Sequence, residues 1–404
     1  MRLLSLLFFS LPVWAQPPAT VTLDELLKMV ARSPRVLAAE RDADMARAER
    51  MTAGALPNPT ISYGAARPSA GERTMFDANS QQQATIEMPI PIFGQRGARM
   101  DAADRQIGRA ESQMRLTSSE ARRAAALGFA RLVRAQETLA ARSTALSEIQ
   151  RIRGLVAGRQ QSGVASRYDR SRVDAEAALA ALSVQRAEAD VGEQAAALAA
   201  LVDAPGWRPR AAGTLEAMRG AVPLVRDVPG MLVVNPAARL ARDESAAAEA
   251  RIELARRERY PVPSLAYSRA WTSGPFGATN FIGVQSEIPI LDSRKGAEDR
   301  ARADAAATRE RERAASAALS AEYERQREVL LARREALQRF DGETSDAQGS
   351  FLEMAESAYR LGRGTLFELL DARRTRLEAS VARLELLGAI VEAEIELRVM
   401  TGDL

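Results

Sequence analysis

Leu56-Pro57-Asn58-Pro59-Thr60-Ile61-Ser62-Tyr63-Gly64-Ala65 is the stretch from which the architecture can be read. The two prolines close a helical segment, because proline lacks an amide donor and disfavours helical geometry in the residue before it. Directly afterwards Ile61, Tyr63 and Ala65 alternate with Thr60, Ser62 and Gly64. A period of two gives a strand one apolar and one polar face. A second alternation follows, Ala84, Ile86 and Met88 against Gln83, Thr85 and Glu87, and Pro89-Ile90-Pro91 ends it. The same arrangement returns later in the chain. Pro261-Val262-Pro263 precedes Leu265 and Tyr267, which alternate with Ser264, Ala266 and Ser268. Ile282, Val284 and Ile288 then alternate with Phe281, Gly283, Gln285 and Glu287, up to Pro289. Hairpins are expected over about 60–90 and 263–290, joined by the Gly-, Pro-, Ser- and Asn-containing stretches 67–80 and 272–279.

Outward from the hairpins, the chain reads as long helix. From about Arg96 to Ala157 there is no proline, and Ala, Arg, Glu and Leu dominate; all four are good helix formers. The stretches 166–203, 297–360 and 365–402 are alike. In the last, Leu370, Leu377, Leu384 and Val391 recur every seven residues, flanked by Leu366, Val381 and Ile395, as in a coiled-coil seam. Landmarks recur at offsets of 198 to 204: Pro34 with Pro236, Pro57 with Pro261, Arg96 with Arg294, and Gly163-x-x-Ser166-x-x-Asp169 with Gly362-x-x-Thr365-x-x-Glu368. The expected organisation is therefore an internal two-fold repeat, 16–203 and 234–404, with an irregular connecting segment at 204–233. Each repeat runs helix, hairpin, very long helix, turn, long helix. The turn glycines are expected to supply positive φ, and Ser166 and Thr365 to cap the returning helices.

The 404 residues contain no cysteine and no histidine. That excludes disulfides, thiolate nucleophiles, Cys/His zinc sites and Ser-His-Asp catalysis. The 56 basic residues, all Arg except Lys28 and Lys295, nearly balance 53 acidic ones. This mixed surface lacks the concentrated basic footprint of a nucleic-acid binder. The twelve methionines are scattered and read as packing residues, and no metal site or cofactor is expected.

Arg2, the apolar run Leu3–Trp14 and Val13-Trp14-Ala15 form an export signal, residues 1–15, with cleavage after Ala15. No lipid anchor is expected, since no cysteine follows. No later stretch has the ~18 apolar residues of a spanning helix, which leaves a β-barrel as the membrane solution. One chain supplies four strands, too few to close a barrel. Three chains would supply twelve, an even number within the range of outer-membrane barrels, and helices of ~60 residues would carry the passage ~90 Å onward.

These features resemble the TolC-like outer-membrane efflux proteins, within them the cobalt-zinc-cadmium and copper-silver export branch. The resemblance is carried by Leu56-Pro57-Asn58-Pro59, by Pro89-Ile90-Pro91-Ile92-Phe93-Gly94-Gln95-Arg96-Gly97-Ala98-Arg99, by Pro289-Ile290-Leu291-Asp292 and by Tyr359 through Arg374. It implies a mainly α fold with a small β part: a homotrimeric 12-stranded barrel continued by a helical periplasmic tunnel. It implies a Gram-negative outer membrane and its lipid, a periplasmic membrane-fusion adaptor, an inner-membrane transporter of the resistance-nodulation-division type, and no enzymatic activity. The adaptor would dock at the tip turns Gly163, Ser166, Gly362, Gly364 and Thr365. Asp371 and Arg374, with Phe367, would close the periplasmic mouth, and Asp169 and Arg172 are their first-half counterparts. Pro57, Pro59, Pro89, Pro91, Pro261, Pro263 and Pro289 would mark the barrel–tunnel junction. Tyr63, Tyr267, Trp271 and Phe281 are expected as an aromatic belt at the lipid interface. Heavy-metal cations are the expected cargo, with drugs or secreted proteins as the alternative. A soluble periplasmic coiled-coil scaffold is the reading of a different class.

Overall fold

The computed structural model describes residues 19–67, 80–220, 227–273 and 277–404, and for 344–350 the backbone alone. The expected signal 1–15 with Ala15, and parts of the connecting stretches 67–80, 272–279 and 204–233, lie outside the described residues. In chain order the elements are β1 (Thr20–Val21), α1 (Leu23–Val30), α2 (Pro34–Gly54), β2 (Thr60–Ala66), β3 (Gln81–Pro89), α3 (Gln95–Gln161), α4 (Arg167–Leu201), β4 (Arg210–Ala211), α5 (Leu215–Met218), α6 (Val228–Val234), α7 (Pro236–Arg257), β5 (Ser264–Thr272), β6 (Ala278–Gln285), α8 (Lys295–Arg360) and α9 (Leu366–Thr401). Corresponding helices have nearly equal lengths: 21 and 22 residues for α2 and α7, 67 and 66 for α3 and α8, 35 and 36 for α4 and α9. An α-helix of 67 residues is about 100 Å long.

The chain forms two compact units, and each draws on both halves of the sequence. The first comprises Ala38–Leu116 and Leu232–Ser320 and contains one antiparallel sheet in the order β2-β3-β5-β6. The two hairpins are joined through β3 and β5, whose register runs from Gln81 opposite Thr272 to Pro89 opposite Ser264. Alternation then sorts the side chains. Ile61, Ile86, Tyr267 and Ile282 lie abreast on one face, with Tyr63, Met88, Leu265, Trp271 and Val284 on the same side; all of them are exposed. The other face carries Ser62, Gln83, Thr85, Ser268 and Thr279. Thr85 Oγ1 donates to Ser268 Oγ at 2.9 Å, and Gln83 Nε2 donates to the same oxygen at 2.8 Å.

Two expectations are corrected here. Phe281 is abreast of Ser268 on the polar face, opposite to Tyr63, Tyr267 and Trp271, and so cannot join them in one belt. The fourth strand ends at Gln285, before Ile288, because nothing pairs with its continuation once β5 has begun at Ser264.

The second unit comprises residues up to Leu37, Thr117–Met231 and Ala321–Leu404. Its core combines large side chains such as Phe129, Leu132, Ile149, Leu198, Tyr323 and Leu330 with many alanines. Small residues let helices approach closely: a Cβ on Gly128 would come within 2.8 Å of Leu198 Cδ2. On α9, Leu366, Leu370, Val391 and Ile395 are buried, whereas Leu377, Val381 and Leu384 are half-buried. The segment 204–233, read as irregular, holds β4, α5 and α6. β4 pairs in parallel with β1, and Gln136 clamps it, accepting from Ala211 N–H at 2.8 Å and donating to Ala211 O at 3.2 Å. This pairing is too short for an alternating pattern to reveal it.

Candidate functional site

The residues expected from the sequence fall in two regions: the passage from strands to helices, and the turns that follow the long helices α3 and α8. In the first, the prolines sit where regular hydrogen bonding stops. Pro57 and Pro59 lie between α2 and β2, Pro91 between β3 and α3, Pro261 and Pro263 between α7 and β5, and Pro289 between β6 and α8. Pro89 is the last residue of β3. Ile90 N–H donates to Pro263 O at 2.7 Å, so the strand pair is tied off by backbone beyond the sheet.

The long helices are held to the helices before the hairpins by one repeated device. Arg96 Nε donates to Gly54 O at 2.7 Å, and Arg294 Nη1 donates to Glu258 O at 2.9 Å. Both carbonyls belong to helix C-termini, which carry oxygens without helical partners. The Arg96/Arg294 correspondence was visible in the sequence; the acceptors were not. Gln95, nearly buried, accepts from Phe93 N–H at 3.0 Å and donates to Tyr260 O at 3.3 Å. Glu298 is buried and bonded by Arg259 at 2.6 Å and by Arg302 one turn on. Its carboxyl is held below the usual glutamate range, first by the Arg259 hydrogen bond.

At the helix ends, Gly163 and Gly362 adopt φ of +75° and +72°, the left-handed region that lets the chain reverse. Ser166 caps α4 in a reciprocal box: Ser166 Oγ accepts from Asp169 N–H at 3.1 Å, and Ser166 N–H donates to Asp169 Oδ2 at 3.0 Å. Thr365 and Glu368 repeat the box on α9, at 3.3 and 2.8 Å. Asp169 is therefore occupied in a cap, which gives its carboxylate a structural task. Gly364 leaves room for Ala358, whose Cβ would lie 3.1 Å from an added Cβ.

Among the other residues expected to close the mouth, the structure joins Arg172 to Phe367, with the guanidinium 5.2 Å from the ring centroid and the ring exposed. It does not join Arg374 to Asp371. Arg374 pairs with Glu378 at 2.8 Å, both side chains well exposed, and Asp371 is exposed without an ion-pair partner among the described residues.

Beneath the turns lies a core of Ile149, Ile152, Val156, Val173, Leu352 and Leu369, contributed by α3, α4, α8 and α9. Three charged residues enter it. Glu356, its side chain 11% exposed, receives both guanidinium nitrogens of Arg151 at 2.5 and 2.6 Å and Arg360 at 2.6 Å. Arg159 donates to Tyr359 O and covers the Tyr359 ring at 4.6 Å. Arg373, buried between Asp371 and Arg374 in sequence, donates to Ala145 O at 3.2 Å and lies 3.8 Å from Glu176. Burial lowers its pKa, against the pull of Glu176 and Glu148. Glu356 and Arg373 are not among the site residues expected from the sequence. Their spacing carried a usable sign: Glu356 falls between buried Leu352 and Tyr359 at steps of four and three, and Arg373 follows Leu370 by three.

Among the described residues no helix is long and apolar enough to cross a membrane, and no three carboxylates are grouped as for a metal ion. The family model for outer membrane efflux proteins matches residues 26–204 and 231–403. Of solved structures, the outer-membrane channel OprN aligns with a TM-score of 0.78 at 19% identity, over 94% of this chain and 90% of its own. The outer membrane protein VceC of Vibrio cholerae gives 0.74 at 18%, over 94% and 96%. CusC, whose structures concern folding and transmembrane channel formation, gives 0.73 at 16%, over 96% and 95%. At these identities the likeness is one of fold. No curated protein matches the sequence.

Proposed function

Because this chain belongs to the outer membrane efflux protein family, we propose that it is the outer-membrane exit duct of a tripartite efflux pump, a passive conduit that performs no covalent chemistry. The observation that carries this reading is the four-stranded sheet with an exposed apolar face and two unpaired edges, β2 and β6. In lipid every backbone N–H and C=O must find a partner within protein. Three copies, β6 of one pairing with β2 of the next, satisfy that demand with twelve strands. The apolar face then meets lipid and the polar face lines the lumen. The partners in this reading are two further copies of the chain, a periplasmic adaptor gripping the turns at Gly163 and Gly362, and an inner-membrane transporter that supplies the energy.

The mouth would be closed by rings of Asp371, Arg374 and Phe367, with Arg172 stacked on Phe367. The cargo in this reading is heavy-metal cations, supported by the likeness of segment 89–99 to the metal-export branch and by the unpaired Asp371 carboxylate, since oxygen ligands hold such ions weakly enough to release them. Fractionation tests the duct: recovery in the outer membrane as a species of three chains is expected, and recovery in the soluble periplasm would overturn it in favour of a scaffold. Deleting the gene, in a strain without a redundant channel, tests the cargo. Lower tolerance to cobalt, zinc, cadmium, copper or silver is expected, and unchanged tolerance with lower drug tolerance would assign the duct to drugs.

A further inference from the structure

Charge is distributed over the sheet in an uneven way. Every residue that the register assigns to the polar face of the four strands is uncharged except Glu87. Its neighbours abreast are Thr60 on β2 and Ala266 on β5, a hydroxyl and a methyl. Among the described residues no arginine or lysine forms an ion pair with it, whereas about half of the other carboxylates have one, Glu111, Glu298, Glu356, Glu394 and Glu396 among them. The one basic residue of the strands, Arg269, is on the opposite face, its guanidinium 5.5 Å from the Trp271 ring centroid. The other polar side chains of this face are amides and hydroxyls, Gln83, Thr85 and Ser268 bonded to one another, and what remains is Phe281 and small or apolar residues such as Ala270 and Gly283. Glu87 is two residues from the end of β3, towards α3.

We propose that Glu87 is the cation-selecting residue of the strand-lined part of the passage, where three copies form a carboxylate ring at its helical end. This rests on the duct reading above and adds a preference to it. An unpaired carboxylate on an otherwise neutral wall fixes the sign of the local potential. Its field reaches about 8–10 Å at physiological salt, and low-dielectric walls focus it into the lumen. Rings of Asp or Glu select cations in pores for this reason. Ion-paired charges contribute far less to such a field, since each guanidinium offsets its carboxylate.

The experiment reconstitutes the full chain in planar bilayers and reads the reversal potential under a tenfold KCl gradient. The parent is expected to prefer K⁺ over Cl⁻. Glu87→Gln is expected to lower the permeability ratio at least twofold, and Glu87→Lys to invert it. Both variants are repeated on an Asp371→Ala background, so that a charged mouth cannot mask the effect. Conducting E87Q and E87K pores with the parent ratio in both backgrounds would overturn the proposal while leaving the duct intact. Absence of any pore from the parent chain would overturn the duct reading, and this one with it.

Discussion

Glu356→Gln is the substitution that most directly tests how the helix ends are held shut. The Glu356 carboxylate ties α8 to α3 through two hydrogen bonds from Arg151 and binds Arg360 on its own helix. Charge-assisted hydrogen bonds contribute about 1.5–3 kcal/mol each. Arg151 and Arg360 are about half exposed, so water recovers part of that when the pairs break. Allowing about 1 kcal/mol for each arginine after that discount gives a loss of about 2 kcal/mol, or ~30-fold in a local opening equilibrium. Amide hydrogen exchange of the folded protein reads this directly, because exchange through local opening reports local free energy. Peptides covering 149–160 and 352–362 are expected to exchange ~30-fold faster in the variant, with the four-stranded sheet unchanged. Glu353→Gln, on the exposed side of the same helix, serves as the control and is expected to leave exchange as it was. An acceleration below about threefold, corresponding to less than ~0.7 kcal/mol, would refute the idea that this carboxylate fastens the two long helices.

Three further outcomes are expected. Asp371→Ala raises the conductance of the closed form in planar bilayers, and an unchanged conductance would leave Asp371 an ordinary surface residue. Gly128→Val drives a side chain into Leu198 and costs about 1–3 kcal/mol, seen as a lower midpoint in thermal melts; full parental stability would mean that α3 and α4 separate easily. Glu298 has a depressed pKa in the folded chain, so its stabilisation is complete above the unfolded glutamate value near 4.3 and is lost as pH falls below that through the folded value. The melting difference between the parent and Glu298→Gln should therefore be largest near neutrality and vanish in acid; a constant difference across that range would contradict it.

Much of this architecture is written locally. Pro57/Pro59 and Pro261/Pro263 stop helices, and the alternation from Ile61 to Tyr63 and from Leu265 to Tyr267 announces strands, because both effects act over one or two residues. The joining of the hairpins through β3 and β5 is not local, and nothing in either strand names its neighbour. Phe281 shows the value of strict parity: its position directly before Ile282 already excluded it from the apolar face, although its aromatic character suggested a belt. At the helix ends the exposed charges Asp371 and Arg374 stand out in the sequence, while the buried Arg373 and Glu356 do not. A charged side chain at a seam position reads as surface unless the heptad is followed through it. Alanine adds to the difficulty, since it serves equally on buried and exposed faces and blurs the stripe that would separate them.

The bare edges of β2 and β6 set a condition on time as well as on shape. A lone chain carries an apolar sheet face and two rows of unmet backbone groups, the combination that recruits any other extended chain nearby. In the three-copy barrel proposed above, completion would depend on encounters between chains, and its rate would rise steeply with their concentration, where a barrel made from one polypeptide would close at a rate independent of it. Until assembly, each copy would be exposed to wrong partners for as long as the right ones were scarce. A cell that makes little of this protein would gain from synthesising it in bursts, or from shielding the sheet until the copies meet.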